Sequence, residues 1–255
     1  MGHLTLAAPV LTETPPHFAI RHDGIKLAYR LTEGRGPTLV FLPGYMSDMQ
    51  GGKATALCAW AEAQGIGMLR LDYSGCGASE GAFEDGTLDI WRDDVLTVIA
   101  HAQIGPLILV GSSMGGWLML LVAEALGAQV MAMVGIAAAP DFTDWDFSDA
   151  DRATMAADGR IERPSDYGYD PMVITQAFWQ SGQDNLRLNG EIGIDCPVRL
   201  IHGQRDPDVP WETSMKLAAR LRSSDVQTIL VKDGDHRLSR DEDIALLIDT
   251  IAKLV

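Results

Sequence analysis

The stretch Leu107–Trp117 constrains the fold of this chain more than any other. A run of aliphatic residues ends at Gly111, and a helix-forming run follows after the pattern G-x-S-x-G, here Gly111, Ser113 and Gly115. Strand, sharp turn and helix are the context in which this pattern exposes a serine hydroxyl at the edge of a sheet. The strained turn leaves room only for small residues and lifts the hydroxyl beside the positive end of the helix. Ser113 is therefore the candidate nucleophile. The alternative is a glycine-rich turn with Ser112 or Ser113 as a helix N-cap.

Strand-like and helix-like runs alternate along most of the chain. Strands are predicted at 18–21, 25–31, 38–42, 67–73, 107–110, 130–136, 198–201 and 226–231, and helices at 54–64, 87–103, 116–127, 211–221 and 241–254. This alternation is typical of a mainly parallel sheet covered by helices on both faces. The first two strands flank Asp23-Gly24, a hairpin signal, and are expected to form an antiparallel edge.

The alternation stops between residues 141 and 195, a segment rich in Asp, Trp, Phe and Tyr, which we call the insertion. It shows no buried strand, and a helix is predicted at 173–186. A segment of about 55 residues is small for a core of its own. The sequence therefore predicts one domain, residues 1–255, with a small helical cap inserted between two strands.

The net charge and the cysteine content limit which binding partners and which cellular compartment are expected. The net charge is −15 and the pI is about 4.6, which disfavours nucleic acid as a partner. No apolar run is long enough to span a membrane, and the N-terminus lacks the basic region of a secretory signal. The cysteines, Cys58, Cys76 and Cys196, are odd in number and lack metal-type spacing. We expect reduced thiols in a cytoplasmic protein without metal or cofactor.

Polar residues follow the carboxyl ends of several predicted strands, where sites form in parallel sheets. Ser113, Asp206 and His236 occur there in the chain order Ser, Asp, His, which a hydrolytic triad on this kind of sheet uses. A free serine hydroxyl is a weak nucleophile and needs a base, for which His236 is the best placed histidine. The other five are His3, His17 and His22 near the N-terminus, His101 near a helix end, and His202, which we expect to be packed or hydrogen-bonded at a strand end.

Two other carboxylates compete with Asp206 for the role of the triad acid. Asp208 lies in the same loop, where its alternative role is turn formation or capping, and Asp235 adjoins His236 in the sequence. Asp206 is nearer the strand end, so it is better held to fix the tautomer of the histidine. Asp72 ends another strand and is expected to be structural.

Acyl transfer develops negative charge on the carbonyl oxygen, which needs hydrogen-bond donors. The backbone N–H groups of Met114, in the sharp turn, and Tyr45, after Pro43-Gly44, are predicted to supply them. One such donor typically contributes ~10²–10³ in rate.

The chain resembles the α/β-hydrolase family, and within it the mitochondrial palmitoyl-protein thioesterases and acyl-glucuronide esterases with their bacterial relatives. The resemblance is carried by residues 27–30, 41–49, 70–79, 91–96, 111–120, 203–206, 209–215 and 235–237, and most specifically by Gly111-Ser-Ser-Met-Gly-Gly-Trp117. It implies an α/β-hydrolase fold, the triad Ser113, Asp206 and His236, and hydrolysis of acyl thioesters or esters, S-depalmitoylation included. The mitochondrial location of these relatives is not predicted for this chain, because no transit-type segment is seen.

Aromatic residues of the insertion and methionines near the strand ends are predicted to wall an acyl pocket. They are Met46, Met49, Trp145, Phe178 and Trp179, with Met114, Phe142 and Phe147 as further candidates. Each buried methylene of an acyl chain contributes about 0.8 kcal/mol, so a pocket of this kind binds without polar contacts. The alternative is that these aromatics only anchor the insertion to the core.

Three classes of function stay open at this point. The first is a serine hydrolase that acts on a small ester or thioester or on an acylated protein. The second is a peptidase or carbon–carbon bond hydrolase with the same triad, and the third is a binding module that has the fold without catalysis. A haloalkane dehalogenase is excluded, because that chemistry uses a carboxylate where Ser113 stands.

Overall fold

An eight-stranded sheet runs through the protein, for which the computed structural model describes residues 15–164 and 171–255. His3 lies outside the described residues. The strands, in chain order, are β1 (His17–Ile20), β2 (Lys26–Thr32), β3 (Arg35–Leu42), β4 (Ile66–Leu71), β5 (Leu107–Ser112), β6 (Val130–Ile136), β9 (Val198–Gly203) and β10 (Val226–Val231). Their spatial order is β1-β2-β4-β3-β5-β6-β9-β10. The first two pairings are antiparallel and the others parallel, so the predicted mainly parallel sheet with an antiparallel edge is confirmed.

Helices cover both faces of the sheet, as predicted. They are α1 (Gly52–Gln64), α2 (Leu88–Ala102), α3 (Met114–Leu126), α7 (Glu212–Arg220) and α8 (Asp241–Ile251). Helices α1 and α8 pack on one face against Leu39 and Phe41 of β3, whereas α2, α3 and α7 belong to the core that contains Val40 and Leu42. Alternate residues of β3 thus enter opposite cores, because successive side chains of a strand point to opposite faces. In the part of the chain that the structure describes, no helix combines the length and apolarity needed to cross a membrane.

Helix α3 is buried all round its first three turns. Every residue from Met114 to Ala123 is buried, which explains why this helix carries so few polar residues. Trp117 is fully buried, and its indole N–H donates to the backbone oxygen of Asn185, 3.1 Å away. Asn185 belongs to the insertion, so α3 lies between the sheet and the insertion.

The insertion contains more than helices. It forms α4 (Phe142–Trp145), α5 (Asp149–Asp158), a two-stranded antiparallel sheet of β7 (Arg160–Arg163) and β8 (Met172–Thr175), and α6 (Gln176–Asp184). The sequence predicted a small helical cap; the three helices are accompanied by two strands, which at four residues each are too short to show an alternating pattern. The helix predicted from residue 173 begins at Gln176, where the Thr175 hydroxyl caps it by accepting from the Phe178 N–H.

Candidate active site

Ser113 lies alone between β5 and α3 in a backbone conformation that side chains rarely adopt. Its φ is 55° and its ψ is −121°. Its N–H donates to Ile136 O at 2.9 Å, and its carbonyl oxygen accepts from the N–H groups of Gly116 and Ala139 at 2.8 and 3.1 Å. The bonds with Ile136 and Ala139, in and just after β6, and the bond from Gly116 in α3 hold the strained turn in place. The predicted sharp turn from strand to helix is therefore present at Ser113.

Glycines flank Ser113 because the backbone approaches too closely for a Cβ. A Cβ on Gly115 would overlap the carbonyl oxygens of Leu42 and Pro43, and one on Gly111 would overlap the carbonyl of Gly115. The tight packing places the end of β3 directly beside the turn. The G-x-S-x-G pattern thus reflects steric need at both glycines.

The side chains of Ser113, His236 and Asp206 form a continuous hydrogen-bonded chain. His236 Nε2 lies 3.1 Å from Ser113 Oγ, and His236 Nδ1 lies 2.8 Å from Asp206 Oδ2. The carboxylate accepts at Nδ1, so the proton is on that nitrogen and Nε2 is left to accept from the serine hydroxyl. The arrangement can remove a proton from Ser113 and stabilise the positive charge that this places on His236.

Asp206 lies in the loop after β9, and its side chain is fully buried. Burial alone would raise the pKa of its carboxyl. Hydrogen bonds from His202 and His236, together with the backbone N–H of Val209, outweigh burial and hold the pKa well below its usual range. Asp206 is therefore ionised at neutral pH.

The competing carboxylates have other contacts. Asp208 is exposed and its backbone N–H donates to Asp206 Oδ1, while Asp235 Oδ1 accepts from the Leu238 N–H at 2.9 Å. Ligand atoms of Asp206, Asp208 and His236 lie within 4.8 Å of one another. A cation at this point would have to displace the hydrogen bonds that Asp206 already accepts.

One predicted backbone donor adjoins Ser113 in the sequence, and the other follows a residue that lies close to Ser113. Met114 directly follows it, and Gly44, which precedes Tyr45, lies so close that a Cβ there would be 3.3 Å from Ser113 Cβ. Among the described residues, neither the Tyr45 nor the Met114 N–H donates to a protein acceptor. The role of these two N–H groups as oxyanion donors stays a prediction.

A cavity of about 780 Å³ opens over Ser113 and His236. Of the predicted pocket residues, Met46 and Trp145 line it, as do Met114 and Phe142. Within the described part of the chain, Met49, Phe178 and Trp179 do not belong to its wall. Met49 and Phe178 are each only 1% exposed in the core, and the Trp179 indole donates to Thr143 O at 3.0 Å, inside the insertion. Phe178 and Trp179 therefore make packing contacts of the insertion, which was the alternative considered for the aromatic residues, and Met49 is a core residue.

The architecture matches proteins that are already known. The sequence model of the alpha/beta hydrolase family matches residues 39–249. The chain belongs to this family. The human mitochondrial palmitoyl-protein thioesterase ABHD10 is 40% identical over 247 residues, which cover 95% of this chain and 81% of that protein. Among solved structures, a hydrolase of Agrobacterium vitis S4 aligns at 40% identity with a TM-score of 0.89 and covers 95% of this chain and 98% of its own. Mouse alpha/beta hydrolase domain-containing protein 10 aligns at 39% identity with a TM-score of 0.88, covering 94% and 98%. The family resemblance seen in the sequence is confirmed.

The pocket of this alpha/beta hydrolase also contains charged residues that sequence patterns did not reveal. Lys53, in the first turn of α1, lines it, and burial lowers the pKa of its ammonium group to about 8. The Lys53 ammonium donates to the backbone oxygen of Arg237, next to His236. Helix α1 begins two residues earlier than predicted, and nothing in its sequence pattern indicated that its first turn would face the site.

Proposed function

We propose that this protein is a serine hydrolase that cleaves acyl thioesters or carboxylic esters through an acyl-enzyme intermediate. The observation that carries the proposal is the hydrogen-bonded chain from Ser113 Oγ through His236 to the buried Asp206. A serine in a strained turn with no such base would be a weak nucleophile. Membership of a hydrolase family supports the same conclusion.

In the first half of the reaction, Ser113 Oγ attacks the acyl carbonyl carbon while His236 Nε2 takes the hydroxyl proton. The negative charge that develops on the carbonyl oxygen is stabilised by the N–H groups of Tyr45 and Met114. His236 then gives the proton to the departing thiolate or alkoxide, and the acyl group stays on Ser113 as an ester. Asp206 remains ionised and stabilises the protonated imidazole.

In the second half, His236 removes a proton from water, and the resulting hydroxide attacks the acyl-serine. The proton returns to Ser113 Oγ as the carboxylic acid leaves. No bound cofactor or metal enters either step.

The pocket supports an acyl group as the part of the substrate that is recognised. Met46, Phe142, Trp145, Met172 and Val209 give its wall apolar surface. Because Phe142, Trp145 and Met172 come from the insertion, we infer that residues 141–195 act as a cap over a single α/β-hydrolase domain. The name palmitoyl-protein thioesterase, given to the relatives, supports a long acyl thioester as the substrate of this protein, whether on a small molecule or on a protein. Those relatives are mitochondrial, so the cytoplasmic location stays a prediction.

The nucleophile is tested by labelling with a fluorophosphonate probe and by acyl-ester turnover. Ser113→Ala is expected to lose the label and to reduce kcat about 10⁴-fold or more, with an unchanged circular dichroism spectrum. Ser112→Ala, a serine substitution one residue away, is expected to keep the label. Wild-type turnover in Ser113→Ala would rule out the proposed mechanism.

The substrate class is tested with acyl thioesters and esters from acetyl to palmitoyl. Each methylene that the pocket buries is expected to raise kcat/KM about fourfold, which corresponds to about 0.8 kcal/mol. A rise that continues to long thioesters supports the acyl-thioesterase function. Cleavage of peptides, or of carbon–carbon bonds, in place of esters would instead support the alternative functions, a peptidase or a carbon–carbon bond hydrolase with the same triad.

A further inference from the structure

His202 is a buried histidine that the proposed mechanism does not use. It lies near the end of β9, four residues before Asp206, and its side chain is fully buried. Its Nε2 lies 3.1 Å from Asp206 Oδ2 and 3.0 Å from Val209 O, and its Nδ1 lies 2.7 Å from Ser214 Oγ. It therefore contacts the same carboxylate oxygen as His236.

The neighbours of its ring determine where His202 carries its proton. Both atoms near Nε2, a carboxylate oxygen and a backbone carbonyl oxygen, can only accept hydrogen bonds. Nε2 must therefore be the protonated nitrogen, and it donates to both. The Ser214 hydroxyl can then donate to Nδ1, which satisfies both sides of the buried ring.

The carboxylate of Asp206 consequently accepts four N–H groups. Oδ2 accepts from His236 and His202, and Oδ1 accepts from the backbone N–H groups of Asp208 and Val209 at 2.9 and 2.8 Å. Four hydrogen bonds match the roughly four acceptor sites of a carboxylate. The group cannot rotate without breaking some of them.

We propose that His202 is a positioning residue of the triad: its Nε2–H fixes the Asp206 carboxylate and shares the negative charge that Asp206 presents to His236. This inference rests on the proposed function, since it gives His202 a role through the triad acid. His202 touches neither substrate nor reacting atoms. It acts through the Asp206 carboxylate, whose orientation and charge determine how well His236 serves as a base.

Loss of the His202 N–H has a defined consequence for the pH–rate profile. Oδ2 would then accept only from His236 and would stabilise its positive charge more strongly. The acidic limb of kcat/KM would therefore move to higher pH. Less secure orientation of Asp206 would also lower kcat, by about tenfold.

Three variants separate this role from simple packing. His202→Leu fills a similar space and removes the donor. His202→Gln places an amide N–H near the position of Nε2 and restores the donor. Ser214→Ala disturbs the same buried site on the far side of the ring, while the two acceptors at Nε2 keep the proton there.

The measurement is kcat/KM for an acyl ester as a function of pH, in folded protein. The proposal expects the acidic limb to move upward in His202→Leu and to stay near the wild-type position in His202→Gln and Ser214→Ala. The charged residues around the triad are the same in all of these proteins: Asp208 in the acid loop, Asp235 beside His236, and Asp48, Lys53, Asp146, Arg163 and Arg237 in the pocket wall. A limb that stays unchanged in His202→Leu, or moves equally in Ser214→Ala, overturns the proposal.

Two further measurements keep the test decisive. The nitrogen and proton signals of the wild-type imidazoles report the tautomer of His202 even where a variant fails to fold, and a proton on Nδ1 in place of Nε2 overturns the proposal. Ser113→Ala tests the triad separately. If that variant keeps its turnover, the proposed function fails, whereas an unchanged limb in an enzyme that depends on Ser113 refutes only the role of His202.

Discussion

Replacing Ser113 with glycine is expected to give a more stable protein than replacing it with alanine. Ser113 has a φ of 55° and a ψ of −121°, and such a conformation is unfavourable by about 1–3 kcal/mol for a residue with a Cβ. Glycine adopts positive φ without this strain. Both variants lose Oγ and its hydrogen bond to His236, so their difference isolates the effect of the Cβ in the strained turn.

The size of the difference follows from three opposing contributions. Relief of strain favours glycine by about 2 kcal/mol, the middle of that range. The greater freedom of glycine in the unfolded chain favours alanine by about 0.4–1 kcal/mol. The lost contact of a half-buried Cβ, part of the roughly 0.8 kcal/mol of a buried methylene, also favours alanine. On balance, the free energy of unfolding of the Ser113→Gly variant is expected to be about 1 kcal/mol higher than that of the Ser113→Ala variant.

Urea unfolding followed by circular dichroism measures this difference. With a slope near 3 kcal/mol per molar, about 1 kcal/mol moves the midpoint by roughly 0.3 M. The neighbouring Ser112 ends β5 with ordinary strand geometry and provides the matched control. There the order is expected to reverse, with glycine about 0.5–1 kcal/mol less stable than alanine. Equal midpoints for the two Ser113 variants, or a lower one for glycine, would refute strain at the turn.

Two further predictions concern the acid and a buried thiol. Asp206→Asn is expected to lower kcat by about 10⁴-fold, because an amide no longer selects the reactive tautomer of His236. Since the pKa of Asp206 is lowered in the folded protein, its charge stabilises the fold above the unfolded pKa of about 4. That contribution is lost as pH falls further, so the stability gap between wild type and Asp206→Asn, measured by urea unfolding at several pH values, should narrow below about pH 4. Burial raises the pKa of Cys76 to about 12, so iodoacetamide at pH 8 should modify it in unfolded but not in native protein, and rapid native labelling seen by mass spectrometry would contradict this.

The sheet and the order of the strand-end loops were predictable because each depends on local sequence. Hydrophobic runs marked the strands, and the parallel arrangement brings their carboxyl ends to one edge. The three side chains Ser113, Asp206 and His236, far apart in the sequence, are therefore close in the structure. Their catalytic roles stay predictions until the variants are measured.

The pocket wall was harder to predict, since residue type does not tell which way a side chain faces. Met49 and Phe178 are residue types common in apolar pockets, but they are buried in the core. Lys53 is a residue type common on surfaces, but it faces the site. His202 could be expected to form hydrogen bonds at its strand end, but the sequence did not show that its partner would be Asp206. Such pairings depend on how loops fold over the strand ends, which no local pattern encodes.

Tyr45 shows how the insertion and the strand ends depend on each other. Its N–H is one of the two proposed donors to the developing oxyanion, yet its ring is packed against four aromatic rings: Phe83, Trp91, Phe142 and Phe178. Its hydroxyl donates to Val173 O in β8 at 2.6 Å. The backbone of Tyr45 therefore cannot shift without disturbing the insertion. The proposed triad residues lie outside residues 141–195, but the packing of the insertion against the Tyr45 side chain restrains the N–H that is proposed to stabilise an oxyanion beside Ser113.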